Sequence, residues 1–247
     1  MPAGERDTAR LKYTAEGFNS VGIISGMCYR YVFVPTPGML VRFELEMSNR
    51  NLMDMDACYN IGPGFTVPVV VKHSPNHIEM MRWGLIPPWA KDVKIGFKMA
   101  NARSETITEK PSFKGPFKRQ RCVIPANGFF EWKETAQGRI PQFITIPDTP
   151  TFGMAGLYEI ARDGEGKEIK SFTIITCPPN RFMASIHNRM PVILQERDYE
   201  PWLDTKRFDD LRLLAMLQPY EGEMKRVSVS TRVNNIANQG KELIYPV

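Results

Sequence analysis

The pair Met27-Cys28 carries the most unusual chemistry in this chain. A cysteine directly after methionine becomes the first residue once that methionine is removed. It then holds a primary amine and a thiol on adjacent carbons, a 1,2-aminothiol that no internal cysteine offers. Such a group condenses with an aldehyde through nitrogen and closes through sulfur into a thiazolidine ring. The amine's reference pKa is near ~8 and the thiol's near ~8.5, so both nucleophilic forms are within reach at neutral pH. Alone, Cys28 reads as a small apolar residue buried in a strand. The reactive reading depends on groups further along the chain.

Four separated segments place polar residues in apolar or stiff surroundings. They are Cys28-Tyr-Arg30, Asn101-Ala-Arg-Ser-Glu-Thr106, Gly128-Phe-Phe-Glu-Trp132 and Ile186-His-Asn-Arg-Met-Pro191. A carboxylate between Phe130 and Trp132 would have a raised pKa if desolvated, which suits Glu131 to general acid or base work; strand alternation would equally let it face outward. His187 could shuttle protons or be a satisfied structural histidine. Arg30, Arg103 and Arg189 offer forked donors to phosphate oxygens, and each alone could be an ordinary ion-pair arginine. His73 and His77 resemble a metal pair, but Pro75 between them opposes a helix and no third ligand is near, so no metal site is expected.

The elements that must position these groups read as short strands. Strands are expected at 28–34, 65–72, 78–86, 121–133 with a turn at Pro125-Ala-Asn-Gly128, 142–147, 151–160, 171–177 and 224–230. The run 40–47 fits strand or helix. Helices are expected near 109–117, 196–204 and 207–217, the last with Phe208, Leu211, Leu214 and Leu217 on one face. Trp83-Gly-Leu-Ile-Pro-Pro-Trp89 reads as a stiff loop with two exposed indoles. The fold class is α+β, a single domain with a mainly antiparallel, barrel-like sheet core and peripheral helices. Residues 1–26 form an N-terminal extension and 27–247 the domain.

With 247 residues the chain is long enough to bury a substantial core. Four cysteines without a CxxC pair suit a reducing cytoplasm. No apolar run approaches a membrane span, and residues 1–26 lack the apolar stretch of a signal peptide. The net charge is +5, yet Lys91–Lys133 holds ten cations against four anions, a local +6. Aromatic residues lie among them. That mixture suits single-stranded nucleic acid, or equally a solvated basic face beside core aromatics.

Several stretches, in order from Met27 to the end, resemble the SOS-response-associated peptidase (SRAP) family of abasic-site-processing proteins. They are Met27-Cys28 with Arg30, Tyr59-Asn-Ile-Gly-Pro63, Trp83-Gly-Leu-Ile-Pro-Pro-Trp-Ala-Lys91, Asn101-Ala-Arg-Ser-Glu-Thr106 with Lys110-Pro-Ser-Phe113, and Arg121–Lys133. Phe172-Thr-Ile-Ile-Thr176, Ile186-His-Asn-Arg-Met-Pro-Val-Ile-Leu194 and, more weakly, Val229-Ser-Thr-Arg-Val-Asn234 complete the series. The resemblance implies a protein that recognises abasic sites in single-stranded DNA and couples to them covalently; no cofactor is expected, and a monomer is expected because nothing in the sequence argues for an obligate oligomer. By motif, Cys28 would form the thiazolidine and Asn101 would orient the reacting group. Glu131 would move protons during ring opening and reversal, and His187 would assist the Schiff-base step. Arg30, Arg103 and Arg189 would hold phosphates, while Trp83, Trp132 and Pro63 would stack or wedge against a bent strand. Two departures stand out. Tyr29 occupies a position that is usually glycine in the family, and residues 1–26 would acylate the amine of Cys28 while attached. Translation from Met27, self-processing of the extension, or lost activity would each answer the second. Two other classes remain open: a cysteine hydrolase using Cys28 and His187, oriented by Asn101 or Asn188, and a noncovalent single-strand binder.

Overall fold

The computed structural model describes residues 29–45, 52–73 and 75–247; the extension 1–26 and Cys28 lie outside the described residues. The thirteen described strands are β1 (Arg30–Phe33), β2 (Cys58–Ile61), β3 (Thr66–Val71), β4 (His77–Trp83), β5 (Asn101–Arg103), β6 (Arg121–Ala126), β7 (Gly128–Thr135), β8 (Gly138–Thr145), β9 (Phe152–Arg162), β10 (Glu168–Cys177), β11 (Met190–Pro191), β12 (Ile193–Leu194) and β13 (Lys225–Ser228). Four short helices, α1 (Gly38–Arg42), α2 (Pro111–Arg119), α3 (Tyr199–Leu203) and α4 (Asp210–Ala215), decorate them.

Five strands close on themselves. β4 pairs β3, β3 pairs β6, β6 pairs β9, and β9 pairs β10, all antiparallel; β10 returns to β4 in parallel. Closure leaves these strands no open edge and puts alternate side chains inside. A second sheet, ordered β13-β8-β7-β1-β2, lies outside this ring. The two are joined through the chain itself, because β6 of the ring runs into β7 of the second sheet with only Asn127 between. That residue is a fastened joint: its Oδ1 accepts from the Val34 N–H at 2.6 Å and its Nδ2 donates to the Pro150 carbonyl at 2.7 Å. The expected α+β class, single domain and barrel-like antiparallel core are all present.

The described part of the ambiguous run 40–47, up to Leu45, is the end of α1 followed by a bridge from Leu45 to Asn76; residues 46 and 47 lie outside the described residues. The apolar face expected on α4 is displaced. Leu213 and Leu217, one turn apart, are the buried pair, whereas Leu211 is 77% exposed and Phe208 lies at the surface. Of the expected face, Leu217 is buried and Leu214 packs partly buried against the core, while Leu213 takes the buried place expected of Leu211.

The basic and aromatic segment also separates into two populations. Phe113, Phe117, Phe129 and Phe130 are core residues, so the local charge and the aromatic rings do not form one stacking surface. Arg121, counted among the ten cations, is fully buried. Its guanidinium donates to the carbonyls of Trp202 (2.6 Å), Phe117 (2.8 Å), Lys118 (2.9 Å) and Asp204 (2.6 Å), pinning α2 and α3 to β6. Burial lowers its pKa to about 10, which leaves it a cation at neutral pH.

Candidate functional site

The strand register brings two of the four polar segments together at β1 and β7. Arg30 pairs with Phe130, Tyr31 with Phe129 and Val32 with Gly128. Continued one step, that register sets Tyr29 opposite Glu131. Alternation along β7 sends Phe129 into the main core and Phe130 into a smaller cluster with Val32, Val229 and Val233. Glu131 shares the Phe129 side and is only 2% exposed, so its carboxyl is interior rather than outward-facing. Trp132, half-buried on the other face, donates from Nε1 to Asn234 Oδ1 at 2.8 Å.

Arg30 is a partly buried cation with few partners. Its Nη1 donates to the Tyr29 carbonyl at 2.9 Å, its Nε is buried without a hydrogen bond, and no carboxylate pairs with it among the described residues. Burial lowers its pKa to about 10. The position depends on a close approach at Gly62. A Cβ there would lie 2.7 Å from Arg30 Nη1 and 2.5 Å from Ile236 Cδ1. The 233–239 segment that supplies Ile236 is fastened by buried Asn60, whose Nδ2 lies 3.0–3.1 Å from the carbonyls of Val233, Asn235 and Asn238.

The other two segments meet at the end of β10. β5 runs parallel to it, with Asn101 beside Ile174 and Arg103 beside Thr176; β11 runs antiparallel, with Pro191 beside Thr176. Arg103 is exposed and forms no salt bridge among the described residues. Arg189 is engaged. Its Nη1 and Nη2 grip both oxygens of Glu105, the second at 2.8 Å, and Nη2 also donates to the Thr176 carbonyl at 2.7 Å. The guanidinium holds the Glu105 carboxyl down at about 2. His187 is fixed by its own backbone, which donates to the Met183 carbonyl at 2.8 Å, and by its Nδ1, which lies 3.2 Å from the Arg189 N–H. If Nδ1 accepts that bond, Nε2 carries the ring proton of the neutral imidazole.

Trp83 links the two halves. Its Nε1 donates to the Ala100 carbonyl at 2.8 Å, immediately before Asn101, and that carbonyl also accepts from the Ile174 N–H at 3.0 Å. On its other side the indole meets the Tyr31 ring of β1 edge-on, with centroids 5.3 Å apart. It is fully buried. The expected stacking role therefore fails for Trp83, because a ring enclosed by Tyr31, Phe172 and the Ala100 carbonyl presents no face to a ligand. Pro63 is buried too and offers no wedge at the surface. Of the two indoles expected to be exposed in that stretch, Trp89 is, at 60%, and Trp83 is not. Asn60 and Glu105 were legible only as members of longer motifs.

The described thiols are poor nucleophiles. Burial pushes Cys58 and Cys177 up to about 12 and Cys122 higher still. Among the described residues no group of three or more potential ligands could hold a metal ion. No helix there is long and apolar enough to cross a membrane.

The profile of the SOS response associated peptidase (SRAP) family matches residues 27–236. The chain belongs to the SRAP family. Within it, the chain is 45% identical over 189 residues to the abasic site processing protein YoqW of Bacillus subtilis, covering 75% of this chain and 84% of YoqW. It is 32% identical over 224 residues to the chicken (Gallus gallus) abasic site processing protein HMCES, covering 76% of this chain and 66% of HMCES. A solved structure of a Bacteroides thetaiotaomicron protein superposes with a TM-score of 0.76 at 26% identity, covering 89% of this chain and all of that one. The SRAP fold thus accounts for both sheets and for the order of the motifs along them.

Proposed function

We propose that this SRAP protein processes abasic sites in single-stranded DNA by covalent capture through Cys28. The observation that carries the reading is Arg30: a partly buried guanidinium, two residues from Cys28, with a buried Nε lacking a hydrogen bond and no carboxylate partner among the described residues. A buried cation without a counter-ion favours an anionic ligand, and a phosphate offers the forked acceptor geometry it lacks. The names of the relatives add the damage class.

In the reaction, the α-amine of Cys28 adds to the aldehyde of the ring-opened abasic sugar. Loss of one water leaves an imine, and the thiol adds across it, its proton passing to nitrogen, to close the thiazolidine. Glu131, interior on β7, would carry protons between the sugar and the nitrogen. His187 would assist the imine step, and Asn101, at the start of β5, would orient the opened sugar. Arg30, Arg103 and Arg189 would hold the flanking phosphates, with Trp132 beside them. The chemistry requires a free amine, so the working chain would begin at Cys28, after Met27 or the preceding segment is removed.

The test is a denaturing gel of Cys28-first protein mixed with a single-stranded oligonucleotide carrying one abasic site. A shifted band that vanishes in Cys28→Ala and is absent with undamaged DNA is expected. A shift seen only under native conditions would make the chain a noncovalent binder, and cleavage of added peptides without a shifted band would make it a hydrolase.

A further inference from the structure

The free protein already holds one of the three arginines in a forked pair, and its partner is a carboxylate. Glu105 sits in the turn Ser104–Thr106, directly after β5, and its two oxygens take both Nη groups of Arg189. A carboxylate and a phosphate use the same donors of a guanidinium with similar geometry. Both cannot occupy that edge together.

The arrangement indicates which partner is dispensable. Arg189 is anchored from the protein side by the Thr176 carbonyl at 2.7 Å, with Thr176 Oγ1 at 3.3 Å, contacts that do not involve Glu105. Its side chain is 11% exposed, whereas that of Glu105 is 44% exposed, so the carboxylate covers the guanidinium from the solvent side. Beyond Arg189, the Glu105 carboxylate has only its neighbour Ser104 Oγ at 3.3 Å as a side-chain partner among the described residues. The carboxyl titrates at about 2, so it is anionic throughout the neutral range.

We infer that Glu105 is a specificity determinant of the DNA site: a built-in carboxylate that occupies the Arg189 fork until a DNA phosphate displaces it. The inference rests on the DNA reading above and adds a residue that opposes binding. Its consequence is weak noncovalent affinity for any single strand. Retention is then left to the covalent step, which only a damaged sugar can undergo.

The experiment measures noncovalent binding of a fluorescent, undamaged single-stranded oligonucleotide by anisotropy over a range of KCl. The proteins are wild type, Glu105→Gln, Arg189→Ala and the double variant, each checked for folding by thermal melt. Glu105→Gln should bind several-fold more tightly, with the salt slope little changed because the Arg189–phosphate contact forms in both proteins once the strand is bound. The gain should disappear in the Arg189→Ala background. Unchanged or weaker binding by a folded Glu105→Gln protein overturns the inference alone, because Glu105 would then be a bystander or would hold Arg189 in place. If wild type binds neither this strand nor an abasic one at any salt, the DNA reading itself fails and the inference falls with it.

Discussion

Replacing Trp83 with phenylalanine separates a scaffold residue from a DNA-stacking one. The indole is fully buried, its N–H bonds the Ala100 carbonyl at 2.8 Å, and its ring packs against Tyr31 and Phe172. Phenylalanine keeps one ring but loses the donor and part of the volume. The carbonyl retains the Ile174 N–H, so no acceptor is orphaned and the hydrogen-bond loss is about 1 kcal/mol. Complete truncation of a buried tryptophan costs about 3–5 kcal/mol, so the partial cavity adds roughly 1–2 kcal/mol. The sum, about 2–3 kcal/mol, lowers the midpoint by roughly 4–12 °C for a chain of this size. Urea unfolding followed by circular dichroism measures the first quantity, and anisotropy with single-stranded DNA at a temperature where the variant is folded measures affinity. The expected result is a clear stability loss with affinity changed less than about twofold. A variant as stable as wild type that binds DNA much more weakly would refute the scaffold assignment and restore the stacking role.

Further expectations follow from other buried contacts. Arg121→Leu strips donors from four backbone carbonyls and should destabilise by more than about 3 kcal/mol, read by urea unfolding; a stable variant that merely lost DNA affinity would contradict its structural role. Gly62→Ala introduces a Cβ 2.7 Å from Arg30 Nη1 and should weaken DNA binding by roughly tenfold, about 1.4 kcal/mol, through a displaced guanidinium; unaltered affinity would show that Arg30 does not touch the strand. Glu105 supplies a pH test. Its pKa is depressed to about 2, so the ion pair's contribution is complete above the ordinary carboxylate range and fades as pH falls through about 2. The pair is half-open to solvent, so that contribution is under about 1 kcal/mol. The stability difference between wild type and Glu105→Gln should therefore shrink between about pH 4.5 and pH 2, as measured by urea midpoints, and a difference that grows on acidification would contradict the pairing.

Much of this architecture is readable from residue patterns because strand alternation and turn chemistry are local. Asp163-Gly-Glu-Gly166 marks the β9–β10 turn, where Gly166 adopts a positive φ and Asp163 Oδ1 accepts from the N–H groups of Glu165 and Lys167. What local pattern cannot convey is which side of an aromatic or cationic residue faces solvent. Trp83 and Trp89 stand in one motif, and the placement of Tyr31 on β1, Phe172 on β10 and the Ala100 carbonyl buries the first. Arg121 reads as one more surface cation until α2 and α3 bring four carbonyls to it. The ring closed by β10 and β4 is equally invisible in sequence, since a parallel pair joins segments about ninety residues apart. The proximity of Arg30 to the strand of Glu131 comes from the β1–β7 pairing, and that of the Asn101 and His187 segments from the pairing of β5 and β11 with β10.

The central claim is that the nitrogen of Cys28 joins the sugar carbon, and intact-mass spectrometry of the denatured adduct tests it most directly. Cys28-first protein should yield protein plus abasic strand less one water, and acetylation of the α-amine before mixing should abolish that species. An irreversible adduct formed with the amine blocked, differing in mass by the acetyl group alone, would contradict the account.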